Sequence, residues 1–131
     1  MTSLSAQSQY DSGPDLEFQR FLEQQKFKLQ RCSHCQEHVF YPRLLCPHCG
    51  ANKLTWVTAS GRGIVYSTSV PRGGQYGDYN IALIDLAEGP RLLSRVESIA
   101  PDAVTIGMPV QAFVGEIEGR AVVLFKPSQT V

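Results

Sequence analysis

Apolar side chains recur along this chain at two different periods. Near the start, Phe18, Phe21 and Leu22 fall at i, i+3 and i+4, with Glu17, Arg20, Glu23 and Gln24 on the other faces, so a helix here has one apolar stripe. Pro14 and Asp15 supply a helix start. Residues 14–26 are expected to form a short amphipathic helix, too short to persist alone in water, whose stripe must pack on its own domain or on a partner. From Gly63 onward the period becomes 2: Ile64, Tyr66, Thr68 and Val70 alternate with Val65, Ser67 and Ser69. Further strands are expected at Asn80–Leu86, Arg91–Glu97, Val110–Ile117 and Arg120–Phe125. Gly89-Pro90 and Glu118-Gly119 supply turns, and Ile99–Met108 a connector with a helical turn at Pro101–Val104.

Five short strands in one small module suggest a partly open Greek-key barrel, the OB-fold, although an SH3-like barrel fits the same periodicity. Between the helix and the barrel, Phe27–Arg31, Val39–Arg43 and Lys53–Val57 read as three short strands, with Pro42 best placed at an edge or bulge. Residues 1–13, rich in Ser, Gln and Thr, cannot bury enough surface to offset ordering and are expected to be a disordered tail. The chain thus divides into a tail (1–13), a helix (14–26), a small three-stranded module (27–58) and a barrel (59–128). It is mainly β, with the turn Ala59-Ser-Gly-Arg-Gly63 between the last two.

All four cysteines lie in the small module, as Cys32-Ser-His-Cys35 and Cys46-Pro-His-Cys49-Gly50. Two C-x-x-C turns facing each other can close a tetrahedral site, so Cys32, Cys35, Cys46 and Cys49 are read as ligands of one structural Zn2+ in a rubredoxin-like ribbon. Iron in the same four thiolates is the competing assignment. His34, His38 and His48 are surplus to a four-cysteine site. A module of this size needs such a staple, because pieces below about 40 residues seldom fold without a metal or disulfides.

Charge narrows the function. Twelve Lys and Arg balance twelve Asp and Glu, a poor footprint for nucleic acid, which favours basic domains. No stretch approaches the ~18 apolar residues of a membrane span, and the start shows no secretory pattern. The expected compartment is the cytoplasm, where thiols stay reduced and available to metal. A catalytic set is missing: there is no G-x-S-x-G elbow, P-loop or G-x-G-x-x-G after a strand, all three histidines lie in the ribbon, and a four-cysteine shell leaves a metal no open position. The loop Pro71–Tyr79 is rich in glycine, and Arg72 there offers a planar fork suited to phosphate.

Several segments together resemble a known family: Phe27-Lys-Leu-Gln-Arg-Cys32, Phe40-Tyr-Pro-Arg43, Cys46-Pro-His-Cys49-Gly50, Leu54-Thr-Trp56, Ser60-Gly-Arg-Gly-Ile-Val-Tyr-Ser-Thr68, Ile106-Gly-Met108 and Phe125-Lys-Pro127. Over residues 15–128 the chain is similar to the acyl-CoA-associated proteins in which a zinc ribbon precedes an OB-fold. The resemblance implies a non-catalytic subunit that docks on a thiolase-like acyltransferase and helps bind or channel an acyl-CoA, or alternatively serves an acyl-CoA hydratase or aldolase. It also implies that Phe18, Phe21 and Leu22 dock the partner and that Arg62, Arg72, Gly73 and Gly74 lie near CoA phosphates. A module binding single-stranded nucleic acid through Tyr66, Tyr76, Tyr79 and Arg72 is the runner-up from a different class.

Overall fold

The computed structural model describes residues 13–71 and 79–128. The expected tail at 1–13, apart from Gly13, and the loop residues Arg72, Gly73, Gly74 and Tyr76 lie outside the described residues. The chain divides into two compact units, Met1–Ala59 and Ser60–Val131.

The first unit begins with α1 (Pro14–Glu23), which has Pro14 in its first turn, Asp15 and Glu17 at its positive end and Arg20 in its last turn. It ends without a glycine. Gln25 takes the left-handed conformation (φ 64) while its N–H donates to the Leu22 carbonyl and the Lys26 N–H donates to that of Phe21, both at 2.8 Å. This is a Schellman cap with glutamine where glycine is the usual residue. Gln25→Gly should therefore raise the stability of this unit by about 0.5–1 kcal/mol, read as a shift in its urea midpoint at unchanged slope.

Three antiparallel strands follow in the order β2-β1-β3, namely β1 (Lys28–Cys32), β2 (His38–Val39) and β3 (Leu54–Thr58). The stripe of α1 packs within this unit. Phe18 meets Phe27, Phe40 and Trp56 at ring-centroid distances of 6.4, 5.4 and 6.3 Å. Phe21 meets Trp56 at 5.3 Å, and Leu22 is buried. The Trp56 indole N–H donates to Glu17 at 3.2 Å, tying the helix to β3.

β2 is shorter than the expected Val39–Arg43, because the chain beyond Val39 finds a different partner. The buried Gln30 side chain accepts from the Arg43 N–H (2.6 Å) and donates to the Arg43 carbonyl (2.8 Å). One side-chain amide thus satisfies both backbone groups of Arg43, next to Pro42, which has no N–H to offer.

The second unit is a five-stranded sheet in the order β6-β5-β4-β7-β8. Its strands are β4 (Arg62–Ser69), β5 (Ile81–Leu86), β6 (Arg91–Ser94), β7 (Pro109–Ile117) and β8 (Arg120–Pro127). A single 3-10 turn at Pro101–Ala103 lies in the connector. All neighbouring strands are antiparallel. The sheet curls until the chain after β6 reaches β8 through a parallel bridge between Val96 and Phe125, with Phe125 bonded to the backbone of both Arg95 and Glu97. This is the partly open, five-stranded barrel of the OB-fold, and the parallel bridge joins its two edges at one point.

Two glycines set the start of β4. Gly61 has φ 78, and a Cβ on Gly63 would lie 2.6 Å from Ile84 Cγ2 and 3.1 Å from the Asp85 carbonyl oxygen, where β4 is sandwiched between β5 and β7. The Ile106-Gly-Met108 motif has an equally local reason. Gly107 (φ 89) donates to the Val65 carbonyl and the Met108 carbonyl accepts from the Val65 N–H, so the connector pairs with β4 at its bulge.

Candidate metal centre

Each pair of cysteines sits on a turn of the same construction. In the first, the Gln36 N–H donates to the Cys32 carbonyl (2.8 Å) and the Cys32 N–H donates to the Glu37 carbonyl (2.9 Å). In the second, the Gly50 N–H donates to the Cys46 carbonyl (2.8 Å) and the Cys46 N–H to the Ala51 carbonyl (2.9 Å). Gln36 (φ 69) and Gly50 (φ 79) are both left-handed, at the fourth residue after the leading cysteine. The sequence marks the second turn with glycine and hides the first behind glutamine, whose side chain compensates by donating to the Ser33 carbonyl at 2.9 Å.

These turns bring one sulfur from each of Cys32, Cys35, Cys46 and Cys49 to within 4.8 Å of all the others. Cys32 approaches Cys49 at 3.7 Å and Cys35 approaches Cys46 at 3.6 Å. Those separations are far beyond a disulfide bond and match the edge, about 3.8 Å, of a tetrahedron of sulfurs around an ion with metal–sulfur bonds of about 2.3 Å. Cys32 and Cys46 are buried with Val39 at the centre of the ribbon, while Cys35 is half-buried and Cys49 exposed. His34 and His48 are exposed and His38 is half-buried; none joins the cluster of four sulfurs.

The protonation of the thiols fits a cation site. The Cys35 backbone N–H, helped by the His34 N–H and the neighbouring thiols, lowers Cys32 to about 7 against the upward push of burial. At Cys35 the Glu37 N–H pulls downward, but burial and the other three thiols push it up to about 12. Cys49 goes up in the same way: the Ala51 N–H lowers it, and burial with the Cys32 and Cys46 thiols outweighs that. One negative charge is thus stabilised by backbone donors and further charges repel it, a conflict that a divalent cation among the sulfurs resolves.

Of the residues expected near CoA, Arg62 is exposed at the first position of β4, its carbonyl accepting from the Ala87 N–H. Arg72, Gly73 and Gly74 lie outside the described residues. Sequence pattern gave no warning of two polar side chains with structural roles. Gln30 alternates like a solvent-facing residue yet is buried, and Asn80 is 2 % exposed, accepting from the Val96 N–H at 2.8 Å and donating to the Val96 carbonyl at 2.6 Å. Among the described residues, no helix is long and apolar enough to cross a membrane.

Comparison with known proteins divides the chain at nearly the same place as its geometry does. Residues 21–55 match the model of the ChsH2 rubredoxin-like zinc ribbon domain, and residues 56–114 match that of the ChsH2 C-terminal OB-fold domain. A "probable enoyl-CoA hydratase alpha subunit" of Thermomonospora curvata is 41% identical over 91 residues, covering 66% of this chain and 28% of the relative. A "DUF35 domain-containing scaffold protein" of Methanocaldococcus jannaschii is 35% identical over 88 residues, covering 63% of this chain and 62% of the relative. The chain therefore spans less than two thirds of the length of either. Among solved structures, one titled "Ltp2-ChsH2(DUF35) aldolase" superposes with a TM-score of 0.75 at 33% identity, covering 87% of this chain and 94% of that one.

Proposed function

Since the chain belongs to the DUF35 family, joining a ChsH2-type zinc ribbon to a ChsH2-type OB-fold, we propose that it is a non-catalytic subunit of an acyl-CoA-processing assembly whose partner supplies the chemistry. The observation that carries this reading is the closed set of four sulfurs. A Zn2+ held by Cys32, Cys35, Cys46 and Cys49 has no position left for water or substrate, so it supplies folding energy and no reaction centre.

The names of the relatives favour a hydratase or an aldolase as the partner; a thiolase-like acyltransferase, favoured by the sequence motifs, is the third member of the same class. Each of these reactions works on a thioester of CoA, and a scaffold contributes by fixing where the enzyme and its substrate meet. In this reading the ribbon unit docks on the enzyme. α1 contributes through its outer face and the half-buried Phe18 and Phe21, whose rings are partly committed to Phe27, Phe40 and Trp56. Leu22, expected to dock as well, is buried within the unit and offers no surface. Arg62 is the described residue proposed for the CoA phosphates; Arg72, Gly73 and Gly74, proposed for the same role, lie outside the described residues. The whole functions where thiols stay reduced, in the cytoplasm.

The test is reconstitution. The chain should co-purify with an identified hydratase, aldolase or thiolase-like subunit, and turnover of the acyl-CoA should need both proteins. Full activity from the enzyme subunit alone, or its purification without this chain, would sink the proposal.

A further inference from the structure

The outer face of the barrel strands β4, β5 and β6 carries partly exposed apolar side chains. Register places Ile64, Asp85 and Arg91 in one row across the three strands, and Leu83 opposite Leu93 in the next row of the same face. Residues of the opposite face, Val65, Ile84 and Leu92, are buried in the barrel. The outward side chains include large apolar groups that the described residues leave partly exposed: Ile64 is 39%, Tyr66 48% and Leu93 55% exposed. An apolar cluster on adjacent strands is a feature that needs an explanation, unlike a single exposed leucine.

The polar groups of this face are already satisfied. Arg91 Nε donates to Asp85 Oδ1 at 2.6 Å and Nη2 to Oδ2 at 3.3 Å, a two-point pair. The same guanidinium lies 3.4 Å from the centroid of the Tyr66 ring. Asp85, through its hydrogen bond and charge, raises the Arg91 pKa further. The cation is thus neutralised and locked over the aromatic face. Among the described residues, this row therefore offers little to the ligands an OB-fold face otherwise invites. A base or adenine ring cannot stack on the side of Tyr66 that Arg91 covers, and a phosphate meets no uncompensated positive charge in this row.

What remains is apolar surface with a rigid, internally paired arginine and a tyrosine, the composition of a protein–protein hot spot. We propose that this face, bearing Ile64, Tyr66, Leu83 and Leu93 around the Asp85–Arg91 pair, is a second docking surface for the enzyme subunit of the assembly, in addition to the ribbon unit, through a complementary apolar and uncharged surface. The inference rests on the reading of the chain as a subunit and adds a place for the contact. The enzyme subunit is favoured over a second copy of this chain because the related proteins bear the names of enzyme subunits, scaffolds and a two-component aldolase. The contact is expected to be insensitive to salt, since no unpaired charge enters it.

Leu93→Glu and Ile64→Glu test this, because both side chains point away from the barrel core and each variant should keep the wild-type melting curve. Either should weaken binding to the purified enzyme subunit by roughly 30-fold or more, the effect of disrupting a hot spot. Glu116→Lys, at an exposed position where β7 pairs only with β8, is the control and should leave affinity within about twofold. Wild-type affinity in both barrel variants would overturn the assignment while leaving the subunit reading intact. So would a chain that self-associates through this face, seen as a dimer dissolved by Leu93→Glu with enzyme binding unchanged. If the wild-type chain binds no hydratase, aldolase or thiolase-like subunit, the subunit reading falls and this inference with it.

Discussion

Replacing Cys46 by serine is expected to cost the protein its metal and, with it, the folded ribbon. Cys46 is buried with Cys32 and Val39, and beyond these three the ribbon side of the first unit has only small or partly covered groups, Cys35, Ala51 and Leu54, around its centre. Four-thiolate zinc sites contribute on the order of 10–16 kcal/mol to folding, whereas a buried leucine contributes about 1.5–3 kcal/mol; the metal term therefore decides whether this sheet exists. The variant should fall from one bound ion per chain to near zero by elemental analysis. Trp56, the single tryptophan, stacks on Phe18 in this unit, so its emission should shift toward that of an exposed indole. The barrel has a sheet of its own and should keep its dispersed amide spectrum. A chelator should reproduce all of this in the wild type, and re-added Zn2+ should reverse it. A Cys46→Ser protein with unchanged Trp56 emission and full metal content would contradict the four-sulfur assignment.

The metal site was legible because its information is local. Two C-x-x-C spacings and the absence of a fifth cysteine name the ligands, and Gly50 names the turn that aims the second pair. The equivalent turn of the first pair was not legible, because Gln36 takes the left-handed conformation without a glycine to announce it; Gln25 hides the end of α1 in the same way. The strands of the barrel could be read from alternation, since a face that must be buried fixes which residues point inward. Their order could not, because the pattern says that a face is covered and never by what.

The same limit explains the helix. Phe18, Phe21 and Leu22 declared an apolar stripe, and only the structure places its phenylalanines on Phe27, Phe40 and Trp56. Conversely, the sequence marks Tyr66 only as a group for the runner-up nucleic-acid surface and does not tell which face of β4 is outward: Ile64 and Tyr66 alternate with inward residues as any strand would, and their exposure depends on which side of the sheet the barrel closes.

Asn80 carries the other large effect. It stands one residue before β5, buried, and its amide bonds both backbone groups of Val96, the residue that forms the parallel bridge to Phe125. The side chain therefore substitutes for a strand at the point where the sheet closes. Asn80→Leu keeps the branched four-atom skeleton, in a somewhat larger side chain, but leaves the Val96 N–H and carbonyl without partners in a dry environment, and each orphaned group costs about 1–3 kcal/mol. The expected loss is on the order of 2–5 kcal/mol, a large share of the roughly 5–15 kcal/mol that holds a domain folded. Asn80→Asp should destabilise at neutral pH as well, because the ionised carboxylate keeps an acceptor for the Val96 N–H but has no donor for the carbonyl, and it regains one only by taking up a proton at the cost of a raised pKa. Urea unfolding of the barrel, followed by amide resonances of β5 and β8, should move to lower midpoint in both variants while the metal content stays at one per chain. An unchanged midpoint in Asn80→Leu would mean that the bridge between Val96 and Phe125 closes the barrel without help.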